Sequence, residues 1–255
     1  MKLTVLGCSG SIGGPRQRTT SLLVDEDILI DAGTGVGDLD LAELAKIDHV
    51  FLTHSHLDHI AYLPFLLDTV GELRDRPLTV YATDETRRIL EEHIFNWVIW
   101  PDFSKIPSVE NAFMRFQTIK LGETIALDGR RITVLPAEHT VPAVGYQIDS
   151  GVSSLVFTGD TTTNDALWEV VNQITNLRYL IIETAFANKD ATLAVASKHF
   201  CPDTLEEELH KLSRNAEIFV THLKPAQFEL TSQELSQCET TFQLKVLEQG
   251  KVFEF

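Results

Sequence analysis

Thr53-His54-Ser55-His56-Leu57-Asp58-His59-Ile60 directly follows the apolar run His49–Leu52 and packs three histidines and one aspartate into six positions. The whole chain of 255 residues holds only nine histidines. Asp58 alone could cap a helix, but a cap does not explain three imidazoles beside it. Imidazole and carboxylate together suit borderline divalent cations, with no thiolate required. His54 with His56, and Asp58 with His59, are spaced to grip two adjacent ions. The strand should be buried, with His54, His56, Asp58 and His59 in the loop at its end, where α/β folds place chemistry. The remaining ligands must then lie further along the chain.

Three later positions share that context, a polar residue just past an apolar strand. His139 follows Ile132–Leu135, Asp160 follows Ser154–Phe157, and His222 follows Ile218–Val220. Singly, each has a plainer reading: a lone histidine on the surface or in a satisfied core, or a Gly-Asp turn. Taken with the cluster, they are the ligands that a two-metal site lacks.

Composition sets the frame. Apolar residues make up 44% of the chain, and the formal net charge is -16. A surface this acidic disfavours nucleic acid as a partner, while two cations in a pocket would admit a small anion. Cys8, Cys201 and Cys238 are scattered, so no disulfide framework or zinc knuckle is expected. No apolar run approaches a membrane span, and the start of the chain reads as a strand and a Gly-rich turn rather than a leader. The expectation is a cytoplasmic protein.

Short β-branched runs alternate with amphipathic stretches. Strands are expected at Leu3–Leu6, Ser21–Val24, Ile28–Ile30, His49–Leu52, Leu78–Tyr81, Ile132–Leu135, Val144–Ile148, Ser154–Phe157, Tyr179–Ile182, Glu217–Val220 and Lys251–Phe255. Helices are expected to begin near Asp38, Ile60, Asp84, Asn164, Asp203 and Ser232, with Asp84 as an N-cap and Asp203/Glu206 as a capping box. No linker divides the chain, so residues 1–255 read as one α/β domain of layered sheets covered by helices. An aromatic insertion at about 91–110 carries Phe95, Trp97, Trp100 and Phe103. Its rings either stack on a base or, as favoured here, pack in the core or at a homodimer contact.

The His-x-His-x-Asp-His motif, followed by His139, Asp160 and His222, resembles the metallo-β-lactamase superfamily at every ligand position. The resemblance implies a four-layer αββα sandwich of two mixed β-sheets with helices on the outer faces. It also implies two divalent metal ions, zinc foremost, with manganese or iron as alternatives. His54, His56 and His139 would hold one ion; Asp58, His59 and His222 the other; Asp160 would bridge. Asp31, in Asp31-Ala32-Gly33, matches the aspartate that supports the ligand loop.

The stretches His54–Ile60, His93–Phe103, Ile182–Phe186 and Thr221–Pro225 are further similar to the class II 3',5'-cyclic-nucleotide phosphodiesterases, which are related to RNase Z. Tyr62 and Pro64 depart from that group's signature, and Tyr62 is expected to narrow the pocket mouth. Lys198-His199-Phe200-Cys201-Pro202 stands where the group has a Gly-His-Leu-type turn. Lys198 reads as solvent-facing or as a phosphate ligand. His199 matches a histidine that contacts the scissile phosphate, against the plainer reading of a helix cap.

Gly7–Gly14 and Gly33–Gly37 lack the spacing of nucleotide-binding loops and read as tight turns at the site rim. Arg16 and Arg18 either reach a phosphate from the first or stay on the surface. His49 and His210 read as structural or surface residues; His93 is ambiguous.

The implied activity is hydrolysis of a cyclic nucleotide, cAMP or cGMP, to its 5'-monophosphate by a hydroxide held between the ions. Asp58 and His199 are the catalytic candidates, His199 as proton donor to the leaving oxygen. The partner is then a small molecule. The rivals are another phosphodiesterase of the fold, RNase Z-like or specific for 2',3'-cyclic nucleotides, and a diiron redox protein. Retention of His56, where redox members carry Glu, favours hydrolysis.

Overall fold

Alternation along β4 (His49–Phe51) shows how the layers arise. Val50 and Phe51 are both fully buried, yet they face opposite sides and enter different apolar clusters. A strand whose two faces are both covered reads as a continuous apolar run. The computed structural model describes residues 1–255.

One sheet contains β1 (Lys2–Gly7), β2 (Ser21–Val24), β3 (Ile28–Ile30), β4, β5 (Leu78–Ala82) and β6 (Met114–Thr118), with β14 (Val252–Glu254) returning to pair with β1. The other contains β7 (Thr124–Leu127), β8 (Arg130–Pro136), β9 (Val144–Asp149), β10 (Ser154–Phe157), β11 (Leu177–Glu183), β12 (Glu217–Thr221) and β13 (Leu244–Val246). The orders are β14-β1-β2-β3-β4-β5-β6 and β13-β12-β11-β10-β9-β8-β7. In each sheet an antiparallel run gives way to parallel strands, at β3–β4 in the first and β10–β11 in the second.

Three apolar clusters separate four layers. The central one joins the sheets through Leu3, Val5, Phe51, Tyr146, Phe157 and Ile181, among others. The second lies under α1 (Leu41–Leu44), α2 (Leu57–Ile60), α3 (Leu63–Val70) and α4 (Asp84–His93). The third lies under α5 (Asp165–Val171), α7 (Pro202–Leu209) and α8 (Phe228–Leu235), while α6 (Ala191–Ala196) packs with Phe186 and Cys201 in a smaller group. Each fully buried Leu, Ile, Val or Phe contributes about 1.5–3 kcal/mol. The fold is the αββα metallo-β-lactamase sandwich.

Two hydrogen bonds tie the sheets at the edge where the ligand loop leaves β4. Tyr146 Oη donates to the Leu52 carbonyl at 2.5 Å, and the Val144 amide donates to the Thr53 carbonyl at 3.0 Å.

The strands not expected from sequence, β6, β7 and β13, all lie at sheet edges. Edge strands bury less and carry a weaker pattern; β13 is half-buried throughout. Helix starts also differ. Thr83, not Asp84, caps α4, its hydroxyl accepting from the Thr86 amide at 3.2 Å. No Asp203/Glu206 box forms: α7 starts one residue earlier, and the Cys201 amide donates to Thr204 Oγ1 at 3.0 Å. Asp203 instead accepts from Asn188 Nδ2 at 2.6 Å. Helix α6 went unforeseen, and α8 starts before Ser232.

In the aromatic insertion, Phe95 and Phe103 are buried against the first sheet's outer core. Trp97, Val98 and Ile99 project outward, on a turn whose Val98 and Ile99 amides both donate to Asn96 Oδ1. No helix is long and apolar enough to cross a membrane.

Candidate metal centre

The site lies at one edge of both sheets, where strands end. Asp31 leaves β3, His54 follows β4, His139 follows β8, Asp160 follows β10 and His222 follows β12. Parallel alignment of β3–β4 and of β10–β11–β12 brings these ends together.

The cluster is not all loop. His56 occupies the N-cap position of the one-turn helix α2, and Asp58 and His59 lie within it, with the His59 amide bonded to the His56 carbonyl at 3.0 Å. The motif divides between two groups, although the His54 and His59 rings stay adjacent with centroids 4.2 Å apart.

His54, His56 and His139 form one group; Asp58, His59, Asp160 and His222 form the other, and within each the potential ligand atoms lie within 4.8 Å of one another. His139 Nε2 is 3.1 Å from His56 Nδ1. His222 Nε2 lies 3.2 Å from Asp58 Oδ2 and 3.2 Å from Asp160 Oδ2. Asp160 Oδ2 is also 3.3 Å from His59 Nε2 and 3.7 Å from His54 Nε2, so its carboxylate stands between the groups. All seven sequence candidates are thus brought together.

Fit to cations can be judged from the imidazoles. His54 Nε2 and His59 Nε2 are buried and have no hydrogen-bond partner. Buried polar atoms are rarely left orphaned. Their opposite nitrogens are fixed: His54 Nδ1 meets Thr53 Oγ1 at 3.0 Å, and His59 Nδ1 meets Asp31 Oδ2 at 2.7 Å. The fully buried Asp31 also accepts from the Thr53 amide and hydroxyl, both at 2.8 Å. Each imidazole therefore presents one bare nitrogen to the centre, which suits a divalent ion.

Opposite charges offset one another in the centre: burial would lower His59, but Asp160 and Asp31 outweigh it and raise it well above the ordinary imidazole value. Burial alone would raise the Asp160 carboxyl, but His222 and His59 outweigh it and hold it well below the usual carboxylate range. Asp58 is likewise lowered against burial, by His222 and His59. Burial pushes His54 well down and His139 down to about 4, keeping both neutral and able to ligate.

Close backbone approach explains two glycines. A Cβ on Gly10 would stand 2.3 Å from the His222 carbonyl oxygen, and one on Gly33 would stand 2.3 Å from that of Asp58. The first Gly-rich segment gives the Gly10–Ile12 turn at the rim, whereas the second forms a short 3-10 helix, Thr34–Asp38, with only Thr34 on the cleft.

A cleft of about 470 Å³ opens over the centre, lined by His56, Asp58, Asp160, His199, His222, Lys224, Thr19, Thr34 and the Gly10–Ile12 turn, among others. His199 Nδ1 donates to Glu183 Oε1 at 2.7 Å, and Glu183 is fully buried at the end of β11. Burial would lower His199, but Glu183 and Asp160 outweigh it and raise it above the ordinary imidazole value.

One expectation is corrected, and two open alternatives fall to the surface reading. Tyr62 does not line the cleft; it caps α3, with its ring against Gly37 and 5.7 Å from that of Phe65. Arg18 is bound to Asp38 at 2.7 and 3.0 Å, and Arg16 lines a separate cavity. Lys198 does not line the cleft; it faces solvent, with its ammonium paired to Glu138. Glu183 and Lys224 are the site residues that sequence reasoning did not single out. Glu183 carries the signal already used for the ligands, a polar residue closing an apolar strand.

A family model for the β-lactamase superfamily domain matches residues 26–223. A probable 3',5'-cyclic-nucleotide phosphodiesterase from Yersinia pestis is 26% identical over 71% of this chain and 58% of its own length. A ribonuclease Z from Clostridium acetobutylicum is 24% identical over 86% of this chain and 74% of its own. The crystal structure of the metallo-β-lactamase fold protein YhfI from Bacillus subtilis aligns over 99% of this chain and 98% of that one, with TM-score 0.77 and 19% identity. With the paired ligand groups and the two-sheet sandwich, the match across most of the sequence means that this chain belongs to the β-lactamase superfamily.

Proposed function

We propose that the protein is a dinuclear metal-dependent phosphodiesterase that opens a 3',5'-cyclic nucleotide, cAMP or cGMP, to the nucleoside 5'-monophosphate. The observation that carries this reading is the convergence on one cleft of two ligand groups and a histidine held by a buried carboxylate. His54, His56 and His139 would hold one ion, and Asp58, His59 and His222 the other, with Asp160 shared. The donor set of imidazoles and carboxylates suits zinc, with manganese or iron as alternatives. The bound ions would supply a water of lowered pKa and positive charge against the phosphoryl oxygens.

The chain's own residues do the rest. Asp31 fixes the tautomer and orientation of His59, and the Lys198 carbonyl, accepting from His139 Nδ1 at 3.1 Å, does the same for His139. Asp58 lies on the cleft wall with its carboxyl ionised by neighbouring imidazoles, ready to orient an attacking water. Glu183 holds Nδ1 of His199, leaves Nε2 for the cleft, and favours the protonated ring. His199 then hands a proton to the departing 3' oxygen. Residues 1–255 act as one domain in this reading.

The Yersinia pestis relative supports a cyclic nucleotide, and the Clostridium acetobutylicum relative supports an RNase Z-like alternative. The net charge of -16 favours the small substrate, because a long polyanion is usually met by Lys and Arg. The test is an assay of the metal-reconstituted protein against cAMP, cGMP, 2',3'-cyclic nucleotides and a precursor tRNA. Turnover of the precursor alone would reject the proposal in favour of the nuclease reading.

A further inference from the structure

The cleft contains one cation that the ligand groups do not explain. Lys224 lines it together with His199, His222 and Asp160. Its Nζ sits 4.5 Å from the centre of the Phe186 ring and pairs with no carboxylate. The other basic residues near the rim are committed, Arg18 to Asp38 and Lys198 to Glu138. In a chain with 37 acidic and 21 basic residues, an unpaired ammonium in a cleft is an exception.

Its placement is rigid. Lys224 lies two residues after the candidate ligand His222, and its carbonyl accepts from the Gln227 amide at 2.9 Å in the turn opened by Pro225. Phe186 is buried, and its centroid lies 5.8 Å from that of His199, so one ring seats both groups. An aromatic face attracts an ammonium but leaves its N–H donors free for a further partner.

The electrostatics point one way. Once cations occupy the centre, Asp58 and Asp160 are engaged, and a neighbouring ammonium gains nothing from them. Like charges sharing one cleft are unfavourable until an anion enters between them. An ammonium is a compact point charge suited to a phosphoryl oxygen.

We propose that Lys224 is a substrate-binding residue whose ammonium takes a phosphoryl oxygen, and that it holds the ring-opened monoester more strongly than the cyclic diester. The inference rests on the phosphodiesterase reading. A cyclic diester carries one negative charge, whereas a phosphate monoester carries about 1.5 to 2 near neutral pH. The same lysine that gathers substrate therefore retards product release.

Titration calorimetry of metal-loaded wild type, Lys224→Met and Lys224→Arg with inorganic phosphate and with 5'-AMP tests this. Methionine keeps a flexible stem on Phe186 and removes the charge. Lys224→Met should weaken both ligands on the order of tenfold or more, as for a lost hydrogen bond to a charged group. Metal content and melting temperature should stay at wild-type values, Lys224→Arg should retain most of the affinity, and KM for the cyclic nucleotide should change less than the 5'-AMP affinity. Unchanged phosphate affinity in Lys224→Met overturns the proposal, as does a loss that tracks loss of metal. An equal loss for cyclic and ring-opened nucleotide overturns the product preference. Absence of cyclic-nucleotide turnover by wild type would reject the functional reading separately, since phosphate binding is measured without turnover.

Discussion

Glu183 Oε1 and His199 Nδ1 are 2.7 Å apart, and Glu183 is fully buried while the histidine lines the cleft. The carboxylate also accepts from the Thr161 amide at 3.2 Å, which ties it to the loop that carries Asp160. His199 is thus oriented from behind by a residue that cannot itself reach substrate. Glu183→Gln should leave two metals bound and lower kcat by about tenfold to a hundredfold, within the range for general acid–base groups. The loss should be large for cyclic nucleotides and small for p-nitrophenyl esters, whose leaving group needs no proton. His199→Ala should show the same signature more strongly. An equal loss on both substrates would remove the proton-donor role.

Asp160 serves both ligand groups, with its Oδ2 within 3.7 Å of His54, His59 and His222. Asp160→Ala should therefore cost metal at both positions and nearly abolish turnover, as read by elemental analysis and assay of the same sample. Chelation of wild type should lower the melting temperature, because ions that bind only the folded state stabilise it. Two retained metals with normal turnover in the mutant would reject the ligand assignment.

Lys198 has φ of 52°, in the left-handed region, where a residue other than glycine is strained by roughly 1–2 kcal/mol. Its ion pair with Glu138 bridges the loops carrying His139 and His199. Lys198→Gly relieves strain but loses the pair and adds unfolded-chain freedom, so stability should change by less than about 1 kcal/mol. Lys198→Val, β-branched at positive φ, should destabilise by more than that and also lower metal content, since the Lys198 carbonyl orients His139. Thermal melts and metal analysis of both variants check this.

Asp48 joins Arg74 and Arg76 far from the site, and the Arg74 side chain is only 5% exposed. Burial would raise the Asp48 carboxyl, but Arg76 and Arg74 outweigh it and lower it below its ordinary 3.8. A depressed value in the fold means that the contribution is fully present above 3.8 and fades as pH falls through the lowered value. Asp48→Asn should cost about 1–3 kcal/mol at pH 7 by leaving Arg74 short of its charged partner. The gap between mutant and wild type in urea melts should narrow as pH drops below 4. A gap independent of pH would show that the pair contributes little.

What was legible in the sequence divides along physical lines. Strands buried on both faces, such as β4 and β10, read directly because after their first residue, His49 or Ser154, every position is apolar. β6, β7 and β13 were missed because an edge strand can pair its backbone without a full apolar face. The candidate ligands were legible because strand ends put polar residues where apolar ones are otherwise required. Partnerships across sequence were not: Arg18 finds Asp38, Lys198 finds Glu138, and Tyr62 finds Gly37 only after folding. Lys224 had no local signal, since a cleft exists only once β11 and β12 lie side by side.

Tyr146 and Val144 belong to one sheet, and the carbonyls they hold, Leu52 and Thr53, belong to the segment that delivers His54 from the other. Cation binding and the docking of the two sheets are therefore one linked equilibrium. A change that loosens the central seam, remote from any ligand, must appear as weaker metal affinity. Conversely, cation occupancy should slow amide hydrogen exchange along that seam before it does so at the outer strands.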